Sequence, residues 1–164
     1  MVIVLICVLG LLSYFIYRHI FRKEIKNEYN WPDEKNLFER DFLDVIENYS
    51  RYRYFVVIFD YYFDYYYVQY MSMPESNDLY VESISNENLI ENKKIDPLNL
   101  NKLLSLNFLP PNKVQENGHS TLNFSKKYSL KNKSDCPQVF EDLVEILEKI
   151  YHIQNGSKIN LNFS

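Results

Sequence analysis

The chain has 164 residues, a formal net charge of −4 and a pI near 5.4, which leaves one domain's worth of chain beyond an apolar N-terminus. That balance supplies no basic footprint for nucleic acid. Only three glycines occur, Gly10, Gly118 and Gly156, so the clustered glycine loops that cradle phosphates are absent.

The first predicted element is a membrane anchor. Val2 to Tyr17 carries no charged side chain, and Ile20 and Phe21 extend its apolar character past Arg18 and His19. A bilayer core needs about 20 helical residues, which this stretch just meets. A cleaved signal peptide would place its cations before the apolar run and small residues after it. Here Arg18, Arg22, Lys23 and Lys26 follow the run instead, and no small-residue cleavage site does. The cations flanking the anchor, Arg18, Arg22 and Lys23 above all, then predict a single-pass protein with its soluble part in the cytoplasm. The expected segments are an anchor over 1–22, a juxtamembrane stalk over 23–31, a folded domain over 32–154 and a tail over 155–164.

Within the domain, Pro32 suits a first helical position, with Asp33 and Glu34 favourable in the first turn. Phe38, Phe42, Val45, Ile46 and Tyr49 then recur at steps of three and four, the mark of an amphipathic helix. Three strand-like runs follow, at Tyr54–Phe59, Tyr65–Met73 and Leu79–Ser85, joined by short turn-rich segments that favour an antiparallel meander. Asp96-Pro97 opens a second helix with Leu100, Leu103, Leu104 and Phe108 on its apolar face, ending before Pro110-Pro111. Residues 120–130 alternate through Leu122, Phe124, Tyr128 and Leu130, with Lys126 breaking the pattern. A last helix starts at Asp135, which has capping-box spacing to Gln138, and buries Phe140, Leu143, Val144, Leu147, Ile150 and Tyr151. The expected fold is therefore α+β, an antiparallel sheet in the order α-β-β-β-α-β-α with helices on one face, preceded by one transmembrane helix.

Several of these segments together resemble a known family. Tyr67 to Tyr70 (Tyr-Val-Gln-Tyr) is followed by Val81 to Asn86 (Val-Glu-Ser-Ile-Ser-Asn) and Leu89. Then come Leu100 to Pro111, with the spacing Leu-x-x-Leu-x-x-Leu-Asn-Phe-x-Pro-Pro, Asn117 and Phe124. Over residues 34–153 this pattern resembles TY-Chap domains, of the type III secretion chaperone-like fold. Asn107 stands where that pattern expects glycine. The resemblance implies a non-enzymatic protein-binding module of a kind that is often dimeric.

Side chains that could carry chemistry point the same way. His19, His119 and His152 lie far apart in sequence, and no His-x-x-x-His or Cys-x-x-Cys spacing exists to hold a metal. Cys7 sits in the apolar segment and Cys136 at a helix start, which excludes a disulfide framework. Cys136 at that helix start would carry an activated thiol if a base faced it. Asp60 and Asp64 read as solvated turn residues, with an acid–base or metal-binding pair as the other reading. No catalytic residue, metal or cofactor is assigned.

Fifteen tyrosines and eleven phenylalanines are the stronger signal, since such side chains supply large contact areas at interfaces. The candidate partner-binding face takes one parity of the central strands: Tyr65, Tyr67, Gln69, Met71 and Met73, with Tyr80 and Glu82. The expected function is a membrane-anchored, chaperone-like module that binds an unknown protein or a second copy of itself. A membrane-anchored hydrolase and an accessory or immunity-type protein neutralising a toxin are the alternatives.

Overall fold

A computed structural model describes residues 27–48, 54–59, 66–73, 78–113 and 121–163. The strands are β1 (Glu28–Asn30), β2 (Tyr54–Phe59), β3 (Tyr66–Met73), β4 (Asp78–Ser83), β5 (Phe124–Ser129) and β6 (Lys158–Phe163). The helices are α1 (Lys35–Glu47), α2 (Pro97–Ser105) and α3 (Cys136–Glu145), the last continued by one wider turn at Ile146–Ile150. All six strands form one antiparallel sheet in the order β1-β6-β2-β3-β4-β5. The chain is thus α+β, and each predicted strand and helix of the domain is present.

Two strands were not expected. Residues 28–30, read from sequence as stalk, form the edge strand β1, and residues 158–163, read as tail, form β6. β6 inserts between β1 and β2, pairing Glu28 with Asn160 on one side and Phe55 with Phe163 on the other. Three residues are too few to display alternation, which hides β1. β6 does alternate: Ile159 and Leu161 are fully buried and Phe163 partly so, while the residues between them face outward.

The sheet is built on period two. Phe55, Val57, Phe59, Val68, Tyr70, Leu79, Val81, Ile159 and Leu161 form one buried parity. Helices lie against it. Phe42 of α1 meets the rings of Phe55 and Tyr70 at 6.0 and 5.4 Å, edge-on, while Phe55 and Tyr70 stack at 4.6 Å. Phe140 of α3 packs on Phe38 and Phe42 of α1 at 5.9 and 5.6 Å. Tyr151, just past the wider turn, packs on Phe59 and Tyr66. Burying each such ring contributes about 1.5–3 kcal/mol, with edge-on and offset contacts adding to it.

Element ends differ in detail from expectation. Asp96 accepts a hydrogen bond from the Leu98 amide at 2.9 Å, with Pro97 in the first turn, as its type and place predict. α2 stops at Ser105, before the prolines, because Asn107 takes φ 64° and the Phe108 amide reaches back to the Leu103 carbonyl at 3.0 Å. A left-handed position after a helix suits glycine best and asparagine next, which Asn107 satisfies. Leu104, expected on the apolar face, is 44% exposed. Pro32 lies in the turn ahead of α1 rather than in its first turn. Asp135 makes no cap; its carboxylate accepts from the Asn132 amide, and Gln138 donates to Asp142 instead.

Two buried carboxylates tie the helices to the sheet edges. Asp41 of α1 is fully buried and accepts from the Tyr29 hydroxyl at 3.0 Å and from Arg40. Asp142 of α3 is 3% exposed and accepts from Lys126, Tyr128 and Gln138. Lys126 thus turns toward the core for a reason: its ammonium lies on a buried carboxylate and over the Tyr128 ring.

Candidate functional site

The sheet parity opposite the helices builds the candidate site. Register aligns it in rows. Tyr54, Met71, Tyr80 and Lys127 lie side by side across β2 to β5. Asn162, Val56, Gln69, Glu82 and Ser125 form the next row, and Asn160, Ile58 and Tyr67 the one after. Met71 is 39% exposed. Tyr54, Val56, Ile58, Tyr67, Gln69, Met73, Tyr80 and Glu82 are half-buried. The helix contacts described above all fall on the other parity.

Of the residues singled out from the sequence, Tyr67, Gln69, Met71, Met73, Tyr80 and Glu82 come together on this face. Tyr65 lies outside the described residues. Sequence reasoning missed Tyr54, Val56 and Ile58, because an unbroken apolar run conceals which half of a strand faces out. Asn123 was also missed, since it joins the face only through the fold.

A hydrogen-bonded chain runs through the middle of the face. The Tyr54 hydroxyl donates to Gln69 Oε1 at 3.0 Å, and Gln69 Nε2 donates to Glu82 Oε2 at 2.6 Å. Asn123 Nδ2 contacts the same Glu82 oxygen and the Tyr67 hydroxyl, each at 3.1 Å. Asn123 is in turn held by Asn88 Nδ2, which donates to its Oδ1 at 2.8 Å. Burial, with Tyr67 and Glu82 nearby, raises the Tyr54 pKa, so its phenol stays neutral and donates. The network fixes three otherwise flexible side chains on an outward-facing surface.

Each lateral edge of the sheet is covered at one residue by the chain itself. At β1, the Asn30 amide donates to the Glu34 carboxylate at 2.9 Å, and the Glu34 amide donates to the Asn30 carbonyl at 2.8 Å. At β5, Leu109 exchanges two backbone hydrogen bonds with Ser125, at 2.7 and 3.0 Å. Lys127 follows it along that edge, a residue type that discourages strand addition. The open face itself offers rings, thioethers and aliphatic groups.

The remaining sequence candidates do not converge. Cys136 is buried at the start of α3, and His152 lies beyond its far end, about 24 Å away by helix rise. His152 is at φ 51° and bonds Asn99 at 2.8 Å. Asp60, Asp64, His19 and His119 lie outside the described residues, as do Arg18, Arg22 and Lys23. Among the described residues no group of His, Cys, Asp and Glu is placed to hold a metal ion. An open groove of about 540 Å³ lies along α3, lined by Lys35, Glu39, Gln138, Glu141 and Glu145 among others, and includes no residue of the open sheet face. Among the described residues no helix is long and apolar enough to cross a membrane, and the apolar run at 2–17 lies outside them.

No family model matches the chain, and neither curated proteins nor solved structures gave a match.

Proposed function

We propose that this chain is a membrane-tethered, non-enzymatic module of TY-Chap type whose open sheet face binds another polypeptide, with the soluble part in the cytoplasm. The observation that carries the reading is the outward parity of β2, β3 and β4. It presents Tyr54, Val56, Ile58, Tyr67, Met71 and Tyr80 as one surface, none of them fully buried. Tyr and Met are enriched where proteins meet, and contiguous apolar surface outside a core marks an interaction site. An immunity-type role is one case of this reading, with a toxin as the partner.

The test is site-specific cross-linking in the full chain. A photoreactive phenylalanine analogue at Met71 is expected to capture a polypeptide, and the same probe at Glu141 on the helix layer is not. Val56→Lys should abolish capture at position 71 while leaving the denaturation midpoint within experimental error, because the side chain is not in the core. Equal capture from both positions, or capture that survives Val56→Lys, would count against the face.

A further inference from the structure

Glu82 differs from its acidic neighbours. On the same face Asp78 faces Lys127 at 3.5 Å, and Glu28 pairs with Lys158 at 2.7 Å. Glu82 makes no ion pair among the described residues. Its Oε2 takes both amide donors, from Gln69 and Asn123, and its Oε1 accepts no hydrogen bond there. That oxygen is not sealed in the protein, since among the described residues no buried side-chain oxygen or nitrogen lacks a partner. The carboxylate is thus aimed by neutral groups and left with one bonding position unused. Tyr80 is its neighbour two residues along β4, and Tyr67 shares its Asn123 donor.

A partner that covers this face takes Glu82 further out of water. Covering an ionised carboxylate with apolar groups alone is strongly unfavourable, whereas a facing cation offsets the loss. Tyrosine rings beside the carboxylate add attraction for a cation. The charge of the chain agrees. Arg18, Arg22, Lys23 and Lys26 all precede the described residues, so the acidic excess of a chain at −4 falls on residues 27–164.

Resting on the proposed role of the face, we propose that Glu82 is its recognition carboxylate and that the bound polypeptide presents an arginine or lysine to it, flanked by apolar side chains. Gln69 and Asn123 are positioning residues for that carboxylate, and the aromatic and thioether groups around it receive the apolar flanks.

The experiment selects from a random dodecapeptide display library against the full chain held in detergent, with Val56→Lys protein used to remove peptides that ignore the face. Face-dependent binders are expected to share a basic residue. Replacing it by citrulline, or by norleucine where it is lysine, should weaken binding about ten- to hundredfold, as for loss of a charge-assisted hydrogen bond. Against E82Q the same replacement should make no difference. The citrulline comparison on the unaltered protein stands even if E82Q folds poorly. Face-dependent binders without a basic residue, or with an undiminished citrulline effect on E82Q, overturn the Glu82 assignment and leave the face reading intact. No face-dependent binder at all, or a face occupied by a second copy of the chain, overturns the assignment. The first of those outcomes also removes the face reading.

Discussion

Lys126 and Asp142 show how single side chains are coupled here. The carboxylate is 3% exposed and depends on Lys126, Tyr128 and Gln138 for its bonding. Removing the ammonium leaves a buried charge uncompensated, so Lys126→Met should cost about 3–5 kcal/mol. Adding Asp142→Leu should recover most of that, because an apolar pair of similar volume is often neutral. Urea denaturation of the three variants measures both steps, and equal loss in the single and double variants would refute the coupling. Tyrosines give a second expectation at this scale. Burial raises the pKa of Tyr70, Tyr128, Tyr151 and Tyr29, with Asp142 adding to Tyr128 and Asp41 to Tyr29. Each keeps its proton in the folded chain at pH values where the unfolded chain has lost it. Their contribution is therefore complete below pH about 10 and declines as pH rises beyond it. Absorbance at 295 nm should show these phenols ionising together with alkaline unfolding; smooth, independent titration near pH 10 would contradict it.

Among the elements, α2 and β6 carry the clearest expectations. Asn107 at φ 64° ends α2. Asn107→Gly should leave stability unchanged or slightly higher, while Asn107→Val should lose about 1–2 kcal/mol, the cost of a branched residue in that backbone region. Leu161 of β6 is fully buried between β1 and β2, so Leu161→Ala should cost about 2–5 kcal/mol. Asn162→Ala beside it, exposed, should fall within about 0.5 kcal/mol. Equal effects from the two would mean β6 is not in the sheet.

These elements also mark what was legible in the sequence. Periodicity located α1, α2, α3 and β5, because each buries one face and leaves the other wet, while apolar and aromatic runs between turn residues located β2 to β4. Lys126 broke the alternation of β5, and that break pointed inward, to Asp142 on a helix whose own pattern placed it among polar residues. β6 could have been found, since Ile159, Leu161 and Phe163 alternate as strictly as any segment of the chain. The parity of Tyr67, Gln69, Met71 and Met73 was legible within β3. The contribution of Val56 and Ile58 was not, and neither was Asn123, because register across strands depends on pairings between segments distant in sequence. Asp135 and Gln138 had capping-box spacing, but the polypeptide satisfied their side chains elsewhere.

For the whole molecule, the proposed tether and the proposed binding face can be tested separately. The apolar run at 2–17 followed by four cations leads us to expect a full chain that stays in the pellet through alkaline carbonate and enters solution with detergent. Release by carbonate would refute a spanning anchor and leave the binding face untouched. A C-terminal reporter active only in the cytoplasm tests the orientation.

The placement of β6 bears on how the protein is made. Glu28 meets Lys158 across 130 residues, so β1 emerges from the ribosome long before the neighbour it must pair with. Until then Tyr29 and Trp31 have no strand beside them, and the aromatic layer stands open at that margin. A ribosome stalled before Ile159 would therefore display an unfinished sheet, with β1 unpaired.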